Sequence, residues 1–333
     1  MYATHGKRFD TYYTFIQGKR INLGHDRKEA GKALKALKTG EPAENSIEDM
    51  CRKFIKAQRV LLADGDKNAL SKDTINEYET SLTKWVCPVF GHMNAREFKP
   101  THAAQYLEKM REMGRPVRAN REIAALGSAF NYGMRMGMVD MNPCHGVKRN
   151  TEKPRTRLPT IAEVNQLIQA AKAKGTQSYM IALIGVMVAV TGRRRAEILR
   201  LRVSDLKNEA GITVMDAKTK PGESERTYLV EWTDFLRQLV QEAISLPRKV
   251  GSLYVFSNRD GQPYTDQGFK GMWNRVMHDF EDAGGEWFTA HDLRALYVSE
   301  KTERGENPET HKSEATTRRV YDRRRVVKVK PMA

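Results

Sequence analysis

The sequence predicts a mainly α protein with small β-sheets, an α+β chain in three domains, and three observations carry that prediction. From about residue 46 to 150, apolar residues recur at three-and-four spacing, the period of an amphipathic helix. Before the C-terminal tail, strand signals are confined to two short stretches, residues 11–24 and 211–231, each interrupted by a Gly-containing turn. A change of pattern near residue 45 and a polar, Pro-interrupted segment from Lys148 to Arg157 divide the chain into 1–43, 46–149 and 157–333.

Length and charge bound the rest. The 333 residues suit two or three domains and leave room for a sizeable core. Lys and Arg number 57 against 41 Asp and Glu, a formal charge of +16, and such an excess attracts polyanions. Nucleic acid is the leading partner. A membrane surface fares worse, because MYATHGKRFD has no apolar secretory segment. The apolar run Tyr179–Val190 is too short to span a bilayer and reads as a buried helix. Cys51, Cys87 and Cys144 are odd in number and lack CxxC spacing, which implies neither a disulfide framework nor a zinc site and suits a reducing cytoplasm.

In chain order, TYYTFIQGKRINLG reads as two strands around Gln17-Gly18, and Asp26 with Glu29 has capping-box spacing for a following helix. Residues 1–40 carry nine Lys or Arg against three acids, which suits a small DNA-gripping module or an extra layer on the next domain. ENSIEDMCRKFIKAQ, DTINEYETSLTKWVCPVFG, THAAQYLEKMREMG and VRANREIAALGSAFNYGMRMGMV are the middle helices, broken at Gly114-Arg115-Pro116 and Asn142-Pro143. The linker Lys148–Arg157 is basic and fits either a DNA backbone or plain solvent. Thr160 and Glu163 then cap IAEVNQLIQAAKAK, and GITVMDAKTKPGESERTYLVE reads as a hairpin around Pro221-Gly222. Helical segments containing AHDLRALYVSE and EATTRRVYDRRR close the chain, and Val326–Pro331 alternates like a short strand.

Three pieces carry chemistry. In TGRRRAEILRL, Thr191 as an N-cap places Arg193, Arg194 and Arg195 in a first helical turn, where cations oppose the dipole. Either a bound anion offsets that cost, or the helix start is merely solvated. In His291-Asp292-Leu293-Arg294, positions i and i+3 share a helix face. Tyr321 lies within RRVYDRRR, where cationic surroundings favour the phenolate of a group with an ordinary pKa near 10; the plain alternative is a basic tail with an incidental tyrosine.

Their order in the chain resembles the catalytic domain of tyrosine site-specific recombinases of the lambda-type phage integrase kind. The pattern T-G-x-R-x-x-E-[IL], a hairpin lysine, H-x-L-R, H-K-S and T-x-x-x-Y is met by Thr191–Ile198, Lys220, His291–Arg294, His311–Ser313 and Tyr321. The resemblance implies Arg194 and Arg294 as phosphate clamps, Tyr321 as nucleophile and Lys220 as proton donor. His291 and His311 become proton-handling or hydrogen-bonding groups. It further implies a three-domain DNA clamp, with 1–43 binding arm-type DNA, 46–149 gripping the core site and 157–333 cutting. Double-stranded attachment-site DNA, a homo-tetramer and DNA-bending accessory proteins of host or phage are the implied partners, in the cytoplasm of a bacterial cell on its nucleoid. No metal and no cofactor is implied, because a phosphotyrosine link conserves the bond energy. Three departures stand out. Glu309-Thr310 replaces the family's Leu-Gly before His311, the interval from Arg294 to His311 is short, and Lys218 competes with Lys220 for the lysine role. A type IB topoisomerase-like enzyme and a decayed, non-catalytic DNA-binding recombinase are the rival readings. The basic N-terminal piece opposes the first; Arg194, His291, Arg294 and Tyr321 together oppose the second.

Overall fold

The computed structural model describes residues 2–5, 10–16, 19–28, 30–31, 33–34, 42–217 and 226–310. Described residues up to Lys153 form one compact unit and those from Pro154 a second.

The first unit opens on an antiparallel sheet of β1 (Tyr2–His5), β2 (Asp10–Ile16) and β3 (Lys19–Gly24), in that order. Two of these strands are the predicted pair. The third, β1, is four residues long and is held by cross-strand pairing, with the Tyr2 and Tyr13 rings stacked at 5.5 Å. Leu23, Ala30 and Ala33 make a small core, and Ala30 N–H donates to Asp26 O over 2.9 Å, which opens a helical turn where one was expected. Glu29, the other half of that capping pair, lies outside the described residues.

Four longer helices follow. α1 (Ile47–Ala63) starts at Ser46, whose hydroxyl accepts from Asp49 N at 3.1 Å. α2 (Lys72–Ser81) runs on through a π turn, Leu82–Val86, into Cys87–Phe90. The π turn precedes Pro88, whose missing N–H interrupts the helical ladder there. α3 (Pro100–Glu112) and α4 (Pro116–Arg135) each begin with proline, the residue whose absent donor costs least at a first turn. Their apolar faces meet in one core around Phe54, Phe98, Leu126 and Phe130. The first residues of the segment read as a linker are tied to α4. Asn120 and Asn150 exchange two hydrogen bonds of 2.8 and 2.9 Å, and Arg121 meets Glu152 at 2.9 Å.

In the second unit, α5 (Ile161–Lys174) is capped as its sequence predicts: Thr160 N donates to Glu163 Oε2 at 2.8 Å, and Glu163 N to Thr160 Oγ1 at 3.2 Å. α6 (Thr176–Thr191) is the expected buried helix, apolar on all sides and packed by α5, α8 (Asp234–Ser245), α9 (Asp266–Asp282) and α10 (Ala290–Glu303). Between them come a single turn, α7 (Arg195–Ile198), and an antiparallel sheet of β4 (Leu206–Lys207), β5 (Gly211–Met215) and β6 (Thr227–Val230). β5 and β6 are the predicted hairpin, while β4 is a two-residue addition. Lys218, Lys220, Pro221-Gly222, His311, Tyr321 and the Val326–Pro331 tail lie outside the described residues. No described helix is long and apolar enough to cross a membrane.

Candidate active site

The arginine turn is built differently from the sequence expectation. Thr191 is the last residue of α6, not an N-cap, and its hydroxyl donates back to Met187 O at 2.6 Å. Gly192 ends the helix with φ of 62°, a left-handed conformation that favours glycine. A Cβ there would also lie 2.2 Å from the Tyr297 ring, so that tyrosine is packed against the turn. Arg193 and Arg194 therefore precede the next helix, and Arg194 itself occupies the N-cap of α7.

Arg194 is held by carboxylates of its own chain. Its N–H donates to Glu197 Oε2 at 2.8 Å, and its Nη1 donates to Glu197 Oε1 at 2.8 Å and Asp216 Oδ1 at 2.9 Å. Burial disfavours the guanidinium charge, but Glu197 and Asp216 outweigh it and hold the pKa above its ordinary value. Two carboxylates of the chain itself thus lie against the positive turn. Arg195 likewise meets Asp266 at 2.9 Å. Arg193 is buried and donates to Thr191 O at 3.3 Å and Glu309 O at 2.9 Å.

Arg294 comes from α10, whose start is fixed by a second capping box: Thr289 N donates to Asp292 Oδ2 at 2.8 Å, and Asp292 N to Thr289 Oγ1 at 3.3 Å. Arg155 reaches the same cap, donating to Thr289 Oγ1 at 3.2 Å. The Arg294 guanidinium is 1% exposed; Nη1 donates to Gly192 O at 2.6 Å and Nη2 to Thr310 O at 2.8 Å. One side chain thereby joins the arginine turn, the H-x-L-R helix and the chain that enters His311. His291 lies in the first turn of α10 and is exposed, while Arg294 one turn later is buried, so the two residues differ sharply in solvent access.

Sequence reasoning missed Asp216 and Tyr228 as members of this cluster, and it named Arg193 and Glu197 without their contacts. Glu197 was visible at i+3 from Arg194 as capping spacing. Asp216 and Tyr228 had no signal, because only hairpin pairing brings them to the turn: Asp216 N donates to Arg226 O at 2.8 Å. Among the described residues, no group of three or more His, Cys, Asp or Glu is arranged to hold a metal.

Residues 160–323 match the phage integrase family. A tyrosine recombinase XerD of Halalkalibacterium halodurans is 25% identical over 276 residues, covering 78% of this chain and 86% of the relative. The integrase of Shigella phage Sf6 is 23% identical over 189 residues, 55% of this chain and 48% of that one. Among solved structures, a lambda integrase tetramer bound to a Holliday junction superposes with a TM-score of 0.68 at 17% identity, covering 97% of this chain and 95% of that one. The Tn1549 transposon integrase with circular intermediate DNA gives 0.65 at 17% identity, over 84% of this chain and 95% of the other.

Proposed function

We propose that the chain is a site-specific tyrosine recombinase of the phage integrase kind, which cuts and rejoins attachment-site DNA with Tyr321 as nucleophile, Arg194 at the scissile phosphate and Arg294 as the second phosphate arginine, held in this structure on the Gly192 and Thr310 carbonyls. The observation that carries this reading is the Arg294–Gly192 hydrogen bond, which seats the H-x-L-R helix on the T-G-x-R turn. Arg194 engages both carboxylates through Nη1; among the described residues its Nε and Nη2 make no hydrogen bond, and that edge of the guanidinium fork matches two phosphate oxygens. Positive charge there stabilises the transition state, in which charge builds on the non-bridging oxygens.

In the cutting step the Tyr321 phenolic oxygen gives up its proton to a neighbouring base, one of the two site histidines, forms a bond to phosphorus and displaces the 5′ oxygen. That oxygen takes a proton from Lys220, leaving a 3′-phosphotyrosyl ester. His291 and His311 handle protons or hydrogen-bond the phosphate. Rejoining reverses the step with a 5′ hydroxyl from another strand, so the ester conserves the bond energy. Residues 1–43 bind a second, arm-type DNA site, residues 46–149 grip the core site and 157–333 carry the chemistry. The working assembly is a homo-tetramer on bacterial DNA, aided by DNA-bending proteins.

The test is adduct trapping on a nicked duplex spanning the site that the wild-type chain protects. Tyr321→Phe binds that duplex normally and forms no covalent adduct. An adduct at wild-type yield assigns the nucleophile elsewhere.

A further inference from the structure

Tyr228 stands on β6 opposite Val214 of β5, at the base of the hairpin whose tip lies outside the described residues. Its side chain has two sets of contacts. The Arg193 guanidinium lies over its ring, 3.8 Å from the centroid, and Arg226 approaches the same ring at 4.9 Å. Its hydroxyl donates to Asp216 Oδ2 at 3.4 Å, and the other oxygen of that carboxylate holds Arg194.

What Arg193 does makes the stack matter. Among the described residues it forms no ion pair, so two carbonyl oxygens and one aromatic face seat a charge that is only 4% exposed. One of those carbonyls belongs to Glu309, which has φ of 45°, and the next carbonyl, of Thr310, is held by Arg294. The chain entering His311 is therefore pinned at two successive residues, Glu309 by Arg193 of the turn and Thr310 by Arg294 of α10. A side chain of the hairpin in turn holds that turn in place.

We propose that Tyr228 is a positioning residue for DNA cleavage. Its ring seats Arg193 and its hydroxyl seats the carboxylate that aims Arg194, so the hairpin base braces both the arginine turn and the approach to His311. This rests on the reading of Arg194 as the phosphate contact. Tyr228 touches neither DNA nor a reacting atom in this scheme. It acts on the rate through the geometry of others.

The experiment measures adduct formation by the full chain at saturating nicked duplex, with an ordinary 5′-oxygen leaving group and with a bridging 5′ sulfur, which departs without a proton donor. Tyr228→Leu removes the stack and slows adduct formation on both substrates by about 10- to 100-fold, the cost of a misplacement on the order of 1 Å at a reacting centre. Duplex affinity stays within about 2-fold, since many basic residues share the backbone contact. Tyr228→Phe keeps the ring, loses the hydroxyl and slows the step by about 3-fold, as for one neutral hydrogen bond. A wild-type rate for Tyr228→Leu overturns the proposal. So does full recovery on the sulfur substrate, which would place Tyr228 behind the leaving-group proton donor. If Tyr228→Leu melts below the assay temperature, Tyr228→Phe and Asp216→Asn carry the test, and wild-type rates in both overturn it. Failure of the nucleophile assignment stays distinguishable, because the adduct of the Tyr228 variants is scored whichever tyrosine forms it.

Discussion

Two charge clusters, one in each unit, are built on the same plan with opposite signs. In the first unit the Glu122 carboxylate sits in the core of the helical region, 0% exposed, between Arg115 at 2.9 Å and Arg118 at 3.6 Å. In the second, the Arg194 guanidinium sits between Glu197 and Asp216. The difference lies in what is left over. Both oxygens of Glu122 are used, because Tyr106 Oη donates to Oε2 at 2.7 Å while the arginines take Oε1. Burial, together with that bond, pushes the Tyr106 hydroxyl well above its ordinary pKa, so it remains a donor. Arg115 is closed from the other side by the Trp85 ring at 3.5 Å. The Arg194 side chain is instead 19% exposed, and its guanidinium bonds the carboxylates through one nitrogen. A cluster with every site filled holds a fold together. One with an open donor edge can hold its geometry and still receive a ligand.

The largest effect should come from breaking the closed cluster. Glu122→Ala takes the acceptor from Arg115 and from the buried Tyr106 hydroxyl, while Arg118 keeps Glu77 and Ser81, and the unsatisfied donors cost about 3 kcal/mol. Chemical denaturation should show the helical region melting early, while adduct formation per folded molecule stays at the wild-type rate. A protein of unchanged stability but slower cleavage would erase the distinction between the two clusters.

Arg194→Lys sharpens it from the other side. Lysine keeps the positive charge between Glu197 and Asp216 but lacks the planar fork. Stability should stay within about 1 kcal/mol, since the charge pairing survives. Adduct formation should fall by about 100-fold or more, the scale of losing one aligned transition-state donor. Full activity in the lysine variant would show that Arg194 acts as a charge alone.

How much of this was legible in the sequence follows from the range of each interaction. The helices announced themselves through periodicity, and Thr160 with Glu163 through three-residue spacing, because both signals are local. The order Arg194, His291, Arg294 was legible as a pattern, and the Arg294 bond to Gly192 O shows why those segments belong together. The turn itself was misread. Thr191 looked like a cap, yet it continues an apolar helix whose true stop is Gly192. β1 and β4 are too short to show periodicity and exist through their neighbours. Asp216 and Tyr228 were invisible for the same reason: their role depends on strand pairing and on a turn more than twenty residues away in sequence.

The smallest effect concerns a third charge cluster, the cap of α5. Glu163 accepts from Thr160 and pairs with Arg157, and both side chains of that pair are about one-fifth exposed. Burial opposes the ionised carboxylate, but Arg157 and Thr160 overcome it and hold the pKa below the ordinary 4.5. With the folded-state pKa depressed, the contribution to stability is fully present above 4.5 and is lost as pH falls through the lowered value. Glu163→Gln should therefore cost about 1 kcal/mol near neutrality, in the range of an N-terminal cap with a partly screened ion pair. The gap between wild type and variant should close as the solution is acidified below 4.5. Paired thermal melts from neutral pH downward read both quantities. A gap that stays constant with pH would mean that the geometry of the capping box, rather than the ionised carboxylate, supplies the stability, and Glu163 would then resemble a neutral cap more than either of the buried clusters.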